Sequence, residues 1–161
     1  MNIPSNEDIK NNLMIEFSKT IENFDLSSVE ARLFAYLYLS EKPLTLDEMG
    51  EAIGKSKTSM STSVRTLADL NLVTRVWKKG VRKDLYQANN QLFKTFMNSY
   101  ITKWIDTTNR QKGALEESKS LIHQKKKEES SGELVQLDKS LNDILEFHSL
   151  VEELFRDMKQ E

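Results

Sequence analysis

The sequence predicts a mostly α fold: a winged helix-turn-helix with a short β-hairpin wing, plus N- and C-terminal dimerisation helices. Three observations carry this expectation. Only 5 Gly and 2 Pro occur in 161 residues, so long stretches run without a breaker. Apolar residues recur at spacings of three and four through most of them. Near the middle, a short helical pattern, a Gly and a hydroxyl-rich helical pattern lead into an alternating, β-branched run with a basic turn.

The first helix follows Ile9, Leu13, Phe17, Ile21 and Phe24, with Ser5 and Asp8 spaced as a cap. The second covers "SSVEARLFAYLYL". Ser27 and Glu30 form a capping box there, and Val29, Leu33, Phe34, Leu37 and Tyr38 form the stripe to be buried. Pro43 stops the chain. Thr45 and Glu48 then start a short helix through Ile53, with Leu46 and Met49 inward, and Gly54 suits a left-handed end. Ser56 caps the next helix. Rotating 100° per residue places Ser63, Val64 and Leu67 on the side of Met60. Thr58, Thr62, Arg65, Thr66 and Asp69 face the other way, with Ser59 and Ser61 on the flanks.

"LVTRVW" (72–77) and "DLYQA" (84–88) read as two strands joined through "KKG". A long helix begins near Asn90 with Phe93, Phe96, Tyr100 and Trp104 in one stripe, and Gly113 marks a bend or break. "HQKKKEESSGE" (123–133) reads as a connection between helices. The last helix carries Leu134, Leu137, Leu141, Ile144, His148, Val151, Phe155 and Met158, an expected seam for another helix. The organisation expected is an N-terminal dimerisation helix (1–25), a winged helix-turn-helix domain (26–89) and a C-terminal helical region for dimerisation and effector binding (90–161).

Charge is divided unevenly. From Lys55 to Lys83 there are eight cations and one acid, Asp69, giving +7; the whole chain is −2, so the remainder carries −9. A basic segment on an acidic body suits a polyanion such as nucleic acid, or else is a solvated loop. The helix pattern favours the first reading. Its N-terminal turn offers amides, hydroxyls and Lys to phosphates. Thr methyls and an Arg can meet base edges, and short side chains let the helix sit deep in a major groove. The expected contacts to double-stranded DNA are Lys55, Ser56, Lys57, Thr58, Ser59, Ser61, Thr62 and Arg65 from the helix. Lys78, Lys79, Arg82 and Lys83 add the wing.

The stretch "LTLDEMGEAIGKSKTSMSTSVRTLADLNLVTRVWKKGVRKDLYQA" resembles the winged-helix core of GbsR-type regulators, a branch of the MarR-like superfamily. The frame "S-x-x-S-x-S-x-x-L-x-x-L-x-L-V" followed by "W-x-x-G-x-R-K-x-x-Y" carries the likeness, and it covers about residues 10 to 105. Gly50 stands where related sequences often have Ala, a departure expected to leave the turn unaltered. The resemblance implies a dimeric transcriptional repressor that responds to choline and governs glycine betaine uptake or synthesis. A homodimer also fits the terminal apolar stripes, and a palindromic operator calls for one.

Other constellations are weaker. His123 and His148 are the only histidines, and there is no Cys, phosphate-binding Gly loop or paired-carboxylate motif, so no enzyme and no metal or cofactor is expected. His148 on the seam is either a pH or metal switch or an interface polar residue. Phe96, Tyr100 and Trp104 form either a box for a small cation or a stripe of core. Trp77 is either a further wall of that box or an anchor of the wing. The absence of Cys, signal peptide and long apolar run fits a cytoplasmic protein without a membrane span. The alternative from another class is a winged-helix protein-interaction module without sequence-specific DNA binding, its basic face meeting an acidic partner.

Overall fold

The computed structural model describes residues 2–159. The elements are α1 Asn6–Ile21, a 3-10 turn Glu22–Phe24, α2 Ser28–Leu39, α3 Leu46–Ile53, α4 Lys57–Asp69, β1 Val73–Val76, β2 Leu85–Ala88, α5 Leu92–Glu128 and α6 Gly132–Met158. The expected caps form. Ser5 with Asp8, Ser27 with Glu30 and Thr45 with Glu48 make reciprocal capping boxes, and Ser56 accepts from the Ser59 amide. Each satisfies an amide that the helix itself leaves without an acceptor. The chain divides into two units, one through Ser99 and one from Tyr100 onward.

In the first unit α2 is central, with α1, α3, α4 and β2 packed around it. Ala31, Leu33, Phe34, Ala35 and Leu37 are buried. Phe34 lies 4.9 Å from Phe96, edge-on, and 6.3 Å from Phe17. Burying one such side chain contributes about 1.5–3 kcal/mol, against ~0–1 kcal/mol for an exposed ion pair. The core therefore sets the stability, and the surface charges are free to serve other ends. Phe17, Ile21 and Phe24 of the first stripe face this core, but Ile9 and Leu13 do not; they are exposed, while Met14 packs inward instead. Tyr38, expected in the buried stripe, lies at its edge, 5.7 Å from Phe17 and partly exposed.

The strands pair antiparallel, Val73 with Ala88 through Val76 with Leu85. Leu44 adds a single antiparallel bridge to β2 through two 2.9 Å bonds with Tyr86. Asn89 ties the sheet onward: its amide donates to the Leu72 carbonyl at 2.8 Å, and its side-chain oxygen accepts from the Gln91 amide at the start of α5.

The turn between α3 and α4 is tighter than the sequence suggested. Gly54 takes φ +75°, and the amides of Gly54 and Lys55 both donate to the Gly50 carbonyl, at 2.8 and 3.0 Å. A Cβ on Gly50 would stand 2.7 Å from the Lys55 carbonyl oxygen, which is backbone and cannot swing away. Gly50 is thus no neutral departure from Ala. Alanine there forces the turn to open, the kind of overpacking that costs about 1–3 kcal/mol.

In the second unit α6 runs back along α5. Lys126 donates to Asp138 at 3.0 Å, Lys119 to Asn142 at 2.9 Å, and Trp104 stacks on Phe155 at 4.3 Å. Two expectations fail here. Helix α5 passes through Gly113 without a break, because one exposed Gly costs only about 1 kcal/mol and strong helix formers surround it. The connection is also shorter than 123–133. "HQKKKE" is helical, since Lys, Glu and Gln favour helix and Lys suits a helix C-terminus; only residues 129–131 link the two.

The single seam expected along α6 divides in two. Leu134 and Leu141 are buried, and His148, Val151 and Phe155 are half-buried. Leu137, Ile144 and Met158 are exposed and join Phe147 and Leu154 in a stripe within ~100° of the helix surface. The reason is geometric: at 3.6 residues per turn, the row of Leu134, Leu141, His148 and Phe155 and the row of Leu137, Ile144, Val151 and Met158 are displaced around the helix, and only the first is covered along its length. Among the described residues, no helix is long and apolar enough to cross a membrane.

Candidate nucleic-acid interface

The rotation of α4 follows from its apolar residues. Met60, Ser63, Val64 and Leu67 are buried. Lys57, Thr58, Thr62, Arg65 and Asp69 are exposed, with Ser59, Ser61 and Thr66 half-exposed. This is the division the sequence predicts. The outward hydroxyls are partly committed, however. Thr62 donates to the Thr58 carbonyl at 3.2 Å and Thr66 to the Thr62 carbonyl at 3.3 Å. Their protons go to the helix backbone, so they present methyls and acceptor lone pairs outward. Ser56 spends a lone pair on the cap. The amides of Lys57 and Thr58, in the first turn, precede any intrahelical acceptor and point toward the open end of α4.

The support beneath this face is specific. Arg32 of α2 donates to the Ile53 carbonyl at 3.4 Å, a cation at the C-terminal end of α3. The turn on Gly50 then delivers Lys55 and Ser56, both exposed, at the start of α4.

The wing cations divide into paired and unpaired groups. Arg75 is paired with Asp84 across the hairpin. Lys83 donates to Asp47 in the first turn of α3 at 3.0 Å, and Lys57 of α4 stands 4.0 Å from the same carboxylate. The hydrogen bond from Lys83, then the charges of Lys57 and Lys83, hold the Asp47 carboxyl below the usual aspartate range. Lys78, Lys79, Arg82, Lys55 and Arg65 have no ion-pair partner among the described residues. The hairpin turns at Gly80, φ +82°, with the Val81 amide donating to the Lys78 carbonyl at 3.1 Å. Asp47 is the residue that sequence reasoning missed. It lies 36 positions from Lys83, so no local pattern announces the pair.

The other expected residues have different surroundings. Phe96, 5% exposed, lies in the core of the first unit against Phe34 and Phe24. Tyr100 and Trp104 are half-buried and share Phe155, at 6.4 and 4.3 Å. His148 is half-buried with an unpartnered Nδ1.

No family model matches the chain. It is similar to the HTH-type transcriptional repressor OpcR of Bacillus subtilis (strain 168), 34% identical over 106 residues, 66% of this chain and 57% of that protein. It is 30% identical over 154 residues to the putative HTH-type transcriptional regulator YvaV of the same organism, 96% of this chain and 80% of YvaV. The HTH-type transcriptional repressor GbsR, also of B. subtilis, is 36% identical over 87 residues, 54% of this chain and 48% of GbsR. The matches thus span about half the length of OpcR and GbsR and most of YvaV. In fold, the chain resembles a crystal structure of a transcriptional regulator, with TM-score 0.58, 16% identity and coverage of 92% of this chain and 94% of that one. These relatives are transcription regulators, not enzymes.

The Asp47 pairing generates a prediction. A carboxyl held below its unfolded value stabilises the fold above that value, and the contribution is lost as pH falls through the depressed one. Asp47→Asn should therefore unfold at slightly lower urea than the parent at neutral pH, and the two curves should merge in acid. The same change frees two ammonium groups, so affinity for random duplex DNA should rise, with the log–log salt slope steeper by about one.

Proposed function

We propose that this chain, which belongs to the HTH-type transcriptional regulators, acts as a homodimeric repressor of the GbsR type on a double-stranded operator. One observation carries the reading. The exposed face of α4 holds short hydroxyl side chains around Arg65, and the unpaired cations Lys78, Lys79 and Arg82 stand on the hairpin beside it. A helix of that composition enters a major groove, where Arg reaches guanine and Thr methyls meet thymine. The wing lysines take up phosphates and add affinity without sequence choice.

The homodimer is supported by apolar surface that one chain leaves bare. On α6, Leu137, Ile144, Phe147, Leu154 and Met158 are 42–62% exposed, and α1 adds Ile9 and Leu13. Contiguous stripes of this kind mark an association surface. From the resemblance to GbsR-type regulators we infer a small cationic effector, with choline first, and target genes for glycine betaine synthesis or uptake. Tyr100 and Trp104 beside Phe155 offer ring faces for a quaternary ammonium. To release DNA, the cation must bind the DNA-free conformation better.

Three tests follow. Arg65→Ala should weaken operator binding by about 1–3 kcal/mol and relax choice at one or two base pairs. Lys78→Ala or Lys79→Ala should weaken binding to all duplexes and flatten the salt slope by about one each. Equal losses on operator and random DNA for Arg65→Ala would remove the base-reading role. For assembly, Ile144→Asp with Leu154→Asp should shift sedimentation from dimer to monomer and reduce operator affinity; an intact dimer would place the interface elsewhere. For the effector, calorimetry should show choline binding that Trp104→Ala weakens by roughly 0.5–2 kcal/mol. No heat at millimolar choline would exclude choline.

A further inference from the structure

Trp77 follows β1 directly and is 83% exposed. Its indole makes no hydrogen bond, ring contact or cation contact among the described residues. It therefore does not anchor the wing. The hairpin is held by its backbone register, by Leu44 and by Asp84 and Asp47. Trp77, Val76 and Val81 instead form the apolar part of an open concavity of about 630 Å³, whose other walls include Lys78, Arg82 and Lys83. An exposed indole framed by cations suits a partner that is polyanionic and also offers an apolar or acceptor-bearing edge.

We propose that Trp77 is a specificity-determining DNA contact, entering the minor groove beside the site read by α4 and selecting A·T pairs there. This rests on the regulator reading above. With α4 filling a major groove, the hairpin beside it meets the flanking backbone and the minor groove beyond. The indole N–H donates and cannot accept. An A·T pair presents only acceptors in the minor groove, adenine N3 and thymine O2, whereas G·C adds the guanine N2 amino donor, which opposes an indole N–H. The indole's apolar faces pack on deoxyribose, so the contact adds affinity without releasing counterions.

The test is selection from a random duplex library by the full chain, followed by binding titrations on the selected duplex. The parent protein should recover A·T pairs flanking each half-site. Trp77→Ala should keep the central half-site preference, lose the flanking one, and bind the parent's duplex about tenfold more weakly with an unchanged salt slope. Trp77→Phe keeps the apolar face and lacks the donor, so it should retain most affinity and lose the A·T choice. Replacing the flanking pairs by G·C should weaken the parent, and inosine·C, which lacks the amino group, should restore it. If the parent selects a duplex that Trp77→Ala binds equally well, or if inosine·C behaves as G·C, the Trp77 assignment is overturned while the regulator reading stands. If the parent prefers no sequence over random DNA, both fall together.

Discussion

The burial of Met60, Val64 and Leu67 is the constraint on which the rest depends. Three apolar residues at helical spacing fix the rotation of α4, and rotation decides which residues face outward. Nothing in the hydroxyl-rich surface itself favours helix; Ser and Thr compete with the backbone for hydrogen bonds. The helix exists because its inner stripe is covered and its first turn is capped by Ser56. Its position is then set by the turn on Gly50, where two amides converge on one carbonyl and no side chain fits. A shift in that turn moves Lys55, Ser56 and the open amides of Lys57 and Thr58 together.

Electrostatics act on this frame without holding it up. The core supplies the stability, so exposed charges can be distributed for encounter with a polyanion. Asp47 ties the base of the wing to the starts of α3 and α4 through Lys83 and Lys57, and Asp84 occupies Arg75. Within residues 55–83, the cations without an ion-pair partner among the described residues are Lys55, Arg65 and those at the hairpin tip. Pairing near the base and openness at the tip give a wing that is positioned by one set of charges and presents another.

Much of this was legible from local signals. The four caps, the Gly54 turn, the rotation of α4 and the hairpin each depend on residues within a few positions of one another, and each is found. What depends on packing was not legible. Phe96 and Trp104 share one helical stripe, yet Phe96 enters the core against Phe34 and Trp104 stacks on Phe155; spacing cannot say what stands opposite. Ile9 and Leu13 fit the same period as Phe17 and remain exposed. The spacing of three and four along α6 predicts one continuous seam, whereas only part of it is covered. Asp47 with Lys83 and Gly50 with the Lys55 carbonyl are contacts of the folded chain, without a mark in the sequence.

The central claim is that the outer face of α4 and the hairpin together meet duplex DNA. Amide chemical-shift mapping during titration with a selected duplex tests it most directly. The account predicts shifts concentrated at residues 55–66 and 77–83, with the buried residues of α2 and the α5–α6 connection nearly unmoved. Shifts concentrated outside those two segments, with α4 silent, would contradict it.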